Sequence, residues 1–434
     1  MPGRKAKFKQ TSALAEGYES PAEALARIYG AEDFDLTFER TGRKGELVLE
    51  GAGLRAVLRV TLDRKGREKD IEQVEIRDAA GRLLARGENL EADVDRFFRE
   101  LNRALDHYED GDVDGALHHL ANLYEDLPMR FVGTRAGDRI LGTTGADAIL
   151  GRGGSDVILG SLGRDMVDGG GGYNSLFYGS VEVKTRQEGL KADLSKNKAT
   201  ILGDKQEIRK FVELGGTDGR DQIKGDARGN YLSGGDGDDR LDGAGGDDFV
   251  YGGNGRDRLF GGSGDDYVDG GNGDDEVSGG SGDDFVYGGA GHDAVDGDSG
   301  DDTLEGGAGN DTVNGGSGAD VVRGGEGDDT VSGGSGDDVV DGGSGDDTLE
   351  GGGGTDTLTG GGGADEFRLS SQTGADVAAD FQPGEDRIRA DVPFAELTFT
   401  DIEGGTEIRT SGGALVGTVL GVDAATLNDA DAFL

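Results

Sequence analysis

The chain of 434 residues has no cysteine, no tryptophan, five prolines and three methionines. Without cysteine there is neither a disulfide framework nor a thiolate metal site, so noncovalent forces alone hold whatever forms. Five prolines and no glycine at every third residue exclude a collagen-like rod, although 87 residues are glycine. No stretch approaches the roughly 20 apolar residues of a membrane-spanning helix, so no membrane span is expected. The start, MPGRKAKFKQTSALAEG, has basic residues but no apolar run of a Sec-type signal. Positive charge is also scarce: 44 Lys plus Arg stand against 88 Asp plus Glu, a formal charge of −44. That excludes nucleic acid and anionic membrane as electrostatic partners and leaves cations.

What is abundant is periodic. From Gly234 the sequence divides every nine residues without an insertion, GGDGDDRLD, GAGGDDFVY, GGNGRDRLF, through GGGGADEFR ending at Arg368, which makes 15 nonapeptides. Positions 1 and 4 are always Gly, position 6 always Asp, and position 8 always Leu, Val or Phe. A disordered linker would not keep glycines at fixed spacing between valines and leucines. Two weaker nonapeptides, 216–224 and 225–233, precede the array, and five more occupy 133–177. Residues 178–215 break the register, and their alternation of apolar and polar residues predicts a strand-rich insert.

Glycines at positions 1, 2 and 4 permit a tight turn, and residues 7 to 9 make one short strand with position 8 inward. One apolar residue in nine cannot build a core alone. Stacking can: consecutive nonapeptides form opposite sides of one coil, and coils about 4.8 Å apart bury a ladder of Val, Leu and Ile between two parallel sheets. About eight coils would give a rod of roughly 40 Å. Residues 234–368 carry 35 acidic and 5 basic residues, a net of −30. Stacking would align the position 6 carboxylates into files whose mutual repulsion needs a counter-ion. Calcium suits such files because it takes six to eight hard oxygens in flexible geometry, and each turn offers a carboxylate plus glycine carbonyls. The candidate ligands are Asp239, Asp248, Asp257, Asp266, Asp275, Asp284, Asp293, Asp302, Asp311, Asp320, Asp329, Asp338, Asp347, Asp356 and Asp365. Asp221, Asp138, Asp147, Asp156 and Asp165 join them from the flanking repeats, whereas Asn174 and Asn230 replace the aspartate in two turns.

Residues 133–434, with their G-G-x-G-x-D-x-U-x run, resemble the RTX (repeats-in-toxin) proteins, Gram-negative calcium-binding proteins exported by type I secretion. Asp380-Phe381-Gln382-Pro383-Gly384-Glu385-Asp386-Arg387-Ile388 resembles the strand-rich cap that follows such repeats, and Asp429-Ala430-Asp431-Ala432-Phe433-Leu434 resembles a type I tail. The resemblance implies a mainly β fold, a parallel β-roll, several bound calcium ions, the type I secretion machinery as a partner, and a location outside a Gram-negative cell or on its surface. The toxins and proteases of the family carry a large catalytic or pore-forming region ahead of the repeats, whereas here only the segment 1–132 stands there.

That first segment, with 27 acidic and 21 basic side chains, is a different material. Ser20-Pro21-Ala22-Glu23 reads as a capping box opening a short helix, and the alternating segments FDLTFER, ELVLEG, LRAVLRVTLD, IEQVEIRD and RLLARGE predict an antiparallel meander of four or five strands. Val94, Phe97, Leu101, Leu105 and Tyr108 lie on one face of a helix, and a second helix is expected over 114–125. Between them, Asp110-Gly111-Asp112-Val113-Asp114-Gly115 begins like an EF-hand loop, but Ala121 stands where the bidentate Glu belongs, so an αα-hairpin turn is the preferred reading. The hairpin also resembles a single tetratricopeptide unit, which is not an array. His107, His118 and His119 form no H-E-x-x-H, and 1–132 has no G-x-S-x-G and no cysteine, so no enzyme is expected there.

The domains expected are 1–132 (α+β), 133–177 (first short roll block), 178–215 (insert), 216–368 (main roll) and 369–434 (cap and secretion signal). Outward position 7 is Phe249, Tyr267 and Phe285 on one side of the main roll, flanked by Tyr251 and Tyr287 at position 9. An apolar stripe pointing outward needs a cover, and cover from within the chain is preferred over a cell-surface, extracellular-matrix or carbohydrate partner. Leu141, Leu150 and Leu159 pose the same question in the first block. The function expected is a secreted calcium-binding protein of structural or interaction role. The alternatives are an enzyme with an unrecognised site in 1–132 and an adhesive or ice-binding roll.

Overall fold

The computed structural model describes residues 130–132, 135–142, 145–179, 181, 189–371, 374–428 and 432–433, and the backbone of 6–7, 34–41, 44–51, 54–62, 68–78 and 83–90. The helices expected over 20–29, 91–108 and 114–125, the EF-hand-like loop and His107, His118 and His119 lie outside the described residues. Two compact units result, one from 1–181 with 196–213 and the other from 182–195 with 214–434.

The first unit contains a six-stranded antiparallel sheet in sequence order, Ala6–Lys7, Phe34–Thr41, Lys44–Gly51, Leu54–Leu62, Glu68–Asp78 and Leu83–Leu90. This is the meander its alternating segments predict, with the short first strand added. The nonapeptides of the same unit wind as a parallel roll. Ala148–Leu150 pairs with Met166–Asp168 on one side, and Val157–Leu159 with Ser175–Phe177 on the other, each strand meeting the one two nonapeptides further on. The insert then supplies a hairpin, Lys198–Ile201 and Asp204–Arg209, whose second strand lies parallel to Met166–Asp168. Its turn residues Leu202 and Gly203 have φ of 48° and 92°, the positive pair that matches hairpin twist.

The second unit is the main roll. Its strands pair in parallel two nonapeptides apart, as in Phe249↔Tyr267↔Phe285 and Leu259↔Val277. Position 8 forms the core: Leu241, Val250, Leu259 and Val268 are fully buried, and the file continues to Leu358 and Phe367. Strands are longer than the short segment expected from positions 7 to 9. They run from position 7 to position 3 of the next repeat, as in Phe249–Asn254, because the glycine backbone also pairs across coils, Gly253 with Gly271. The bend falls at the positive-φ glycines and the turn proper at positions 4 to 6.

The roll also outlasts its repeat. Val377–Ala378 pairs with Thr357–Leu358, and Arg387–Ala390 with Glu366–Leu369, so irregular coils follow Arg368. Asp380 then closes the edge, its two carboxylate oxygens accepting the N–H groups of Gly360 (2.8 Å) and Gly361 (2.9 Å). Three antiparallel strands, Leu397–Ile402, Gly405–Thr410 and Leu415–Leu420, and the short helix Ala424–Leu427 complete the expected strand-rich cap.

Candidate metal centre

Each position 6 aspartate sits at the end of a turn with its side chain folded under the glycine arch. One oxygen has a partner in the protein. Oδ1 accepts the backbone N–H of the position 6 residue one coil earlier, as when Asp266 accepts from Asp248 (2.7 Å) and Asp320 from Asp302 (2.8 Å). The other has none: Oδ2 of all fifteen aspartates from Asp239 to Asp365 is buried without a hydrogen-bond donor, and so is Oδ2 of Asp156. A buried acceptor without a donor costs free energy, and a carboxylate costs more than a neutral group.

The position 1 glycine shapes the space beside that oxygen. A Cβ on Gly252 would lie 2.4 Å from Asp257 Oδ2 and 2.5 Å from the carbonyl oxygen of Gly270, so no larger residue fits. The result is a cradle bounded by a carboxylate oxygen and a backbone carbonyl oxygen, repeated in both files. Burial pushes the carboxyls up, to about 8 at Asp239, about 7 at Asp248, Asp284 and Asp302, and about 6 at Asp257 and Asp347. Backbone hydrogen bonds oppose the rise, and neighbouring carboxylates add to it. Among the described residues no three carboxylate or imidazole side chains converge on one point. The donor set is therefore carboxylate plus main-chain carbonyl, hard oxygens of the kind calcium takes.

The flanking candidates differ. Asp156 repeats the array's geometry, its Oδ1 accepting from Asp138 N–H (2.8 Å). The backbone N–H groups of Asp138 and Asp147 donate to Asp156 and Asp165, one pair in each file. Asp221 has both oxygens engaged, Oδ1 by the Leu190 N–H and the Thr217 hydroxyl and Oδ2 by the Thr217 N–H (2.6 Å). Asp165 Oδ2 accepts from Gln206 and Ser161. Asn174 Oδ1 caps Asp156 and its amide donates to the Lys210 carbonyl, while Asn230 leaves Nδ2, a donor, buried and unpaired. An orphaned donor repels a cation, so Asn230 interrupts its file, while at Asn174 the amide is already engaged by Lys210.

Two residues outside the regular repeat extend it. Asp376 leaves Oδ1 buried and unpaired, and Asp386 Oδ1 accepts from Asp365 N–H (3.1 Å). Each lies further than two nonapeptides beyond the aspartate of the preceding coil, which hides it from a nine-residue count. Position 5 forms a second file of opposite polarity: Asp301 Oδ1 accepts from Ala319 N–H one coil later (2.8 Å), and Asp265 from Asp283 (3.1 Å). On the outer face, Tyr231, Phe249 and Tyr267 form a ladder with ring centroids 6.2 and 6.0 Å apart. Phe249 and Phe285 remain 49% and 59% exposed, so the described residues do not supply the cover expected from within the chain. Leu150 and Leu159 are half-buried.

The family model of the RTX calcium-binding nonapeptide repeat matches residues 132–176 and, in overlapping copies, 215–331 and 332–367. No curated protein matches the chain. Among solved structures, the extracellular lipase LipA from Serratia marcescens is similar at 14% identity over 91% of this chain and 83% of that one, with a TM-score of 0.21, too low to carry an argument. Repeats of this family bind calcium. Period, parallel winding and family match agree, and residues 132–176 and 215–367 are RTX calcium-binding nonapeptide repeats wound as a parallel roll.

Proposed function

We propose that the protein is exported unfolded and that its main array folds outside the cell by binding calcium, in a structural or interaction role without catalysis. The observation that carries this reading is the file of fifteen buried Oδ2 atoms without a donor. Asp239 to Asp365 at position 6 would hold the ions together with carbonyls of the glycine turns, and calcium would supply the positive charge those oxygens lack. Without it, a net of −30 on 234–368 and one inward apolar side chain per nonapeptide do not offset chain entropy. Asp376 and Asp386 join the set in this reading, while Asp221 leaves it, because Thr217 and Leu190 already satisfy its oxygens.

Export by the type I route follows from the family resemblance and the acidic-then-apolar tail. The calcium-poor cytosol would keep the array open during passage, since extracellular modules bind at about 10⁻⁴–10⁻³ M. No catalytic constellation is read in 1–132, whose segment would then be cargo or a contact surface. Isothermal titration of the full chain tests this: many weak, cooperative sites are expected, and a single tight site would overturn it.

A further inference from the structure

One turn of the first block is built on another principle. In the repeat beginning at Gly160, Gln206 Nε2 donates to Asp165 Oδ2 (3.0 Å) and also to the carbonyl oxygens of Ser161 (2.7 Å) and Gly163 (3.3 Å). These acceptors come from positions 6, 2 and 4 of a single turn. The two backbone carbonyls can only accept, which fixes the end of the amide that carries nitrogen. The other end, Oε1, accepts from the hydroxyl of Tyr178, a fully buried ring. Gln206 itself is 4% exposed, so the amide lies inside the turn rather than over it.

The insert places it there by imitating a coil. Strand Asp204–Arg209 pairs in parallel with Met166–Asp168, Met166 opposite Glu207, and the Glu207 N–H donates to the Asp165 carbonyl (2.8 Å). The array makes the same bond one coil after another, Arg258 N–H to Asp239 carbonyl (2.8 Å). Gln206 thus occupies position 6 of the coil that follows Asp165. In the array that residue is an aspartate, which caps the preceding coil and adds another acceptor to a site already rich in them. Glutamine is one methylene longer and ends in a donor.

We propose that the Gln206 side-chain amide takes the place of a calcium ion at the Ser161–Asp165 turn, so that this turn closes without metal. The inference rests on the reading of the position 6 file as calcium-binding, and it removes Asp165 from the ligands. It gives the chain a metal-independent turn in its first block beside an array that waits for calcium. Tyr178 is a positioning residue, since its hydroxyl holds the amide oxygen away from the acceptors.

Hydrogen exchange of the full chain, read by mass spectrometry in EGTA and in excess calcium, tests this. Amides of 161–168 and 206–209 are expected to be equally protected in both, while those of 266–285 gain protection only with calcium. Loss of protection at 161–168 in EGTA, restored by calcium, would overturn the inference and leave the array's reading intact. An array protected in EGTA would instead overturn the reading of the array. Gln206→Glu exchanges the donor for an acceptor of equal length and should make protection of 161–168 calcium-dependent; protection in EGTA unchanged from the wild type would contradict the proposal. The wild-type comparison decides the matter even if that variant fails to fold.

Discussion

Asp302 has two oxygens with separate tasks. Oδ1 accepts the Asp284 N–H at 2.8 Å, and Oδ2 is buried without a donor and would hold a cation in the proposed reading. Asp302→Asn keeps the first task and removes the charge, so it should raise the calcium midpoint yet stabilise the metal-free roll. Asp302→Ala should weaken both states; the calcium midpoint together with the β-signal in EGTA at pH 5, both read by circular dichroism, separates the two. The neighbouring Asp301 caps Ala319 from an exposed position, so Asp301→Ala should cost about 0.5–1.5 kcal/mol, the worth of an ordinary hydrogen bond. The raised carboxyls also set a pH dependence. Their folded values of about 6 to 8 lie above an unfolded value near 3.9, so their stabilising contribution is complete below about pH 4 and is lost as pH rises through 6 to 8. In EGTA the array should therefore gain β-structure on acidification from pH 8 to 5. With calcium the trend reverses, because protons compete for the same oxygens. A metal-free spectrum that is most β-rich at pH 8 would contradict this.

Along the strands, the inward ladder and the outward stripe differ in worth. Leu304 is fully buried between coils, and Leu304→Ala should destabilise the calcium-loaded protein by about 2–5 kcal/mol, measured by thermal melting. Phe285 points outward and is 59% exposed, so Phe285→Ser should change stability by no more than about 0.5 kcal/mol. A larger loss would mean that something covers the stripe. The inward ladder was legible because a strand's alternation leaves position 8 one direction to face. The files were legible too, since two nonapeptides per coil bring every second position 6 into register. Gln206 was not: its place in the file comes from a hairpin of the insert that pairs with Met166–Asp168, and no period carries that information. Asp376 and Asp386 were hidden for the same reason, as insertions shift the count while the backbone pairing persists.

For the whole chain, charge and core pull in opposite directions. A formal charge of −44 favours expansion, and the array contributes −30 of it from residues 234–368. The apolar ladder is a single residue wide in each sheet, so in the proposed reading neutralising the position 6 files would decide which state wins. The composition alone makes that balance visible. Because each position 6 carboxylate reaches the coil before it, ions should bind cooperatively along the roll. Far-UV circular dichroism of the full chain during a calcium titration from EGTA tests this most directly. The account predicts a largely disordered array in chelator and a steep, reversible gain of β-signal near about 10⁻⁴–10⁻³ M calcium; a β-rich spectrum that EGTA leaves unchanged would contradict it.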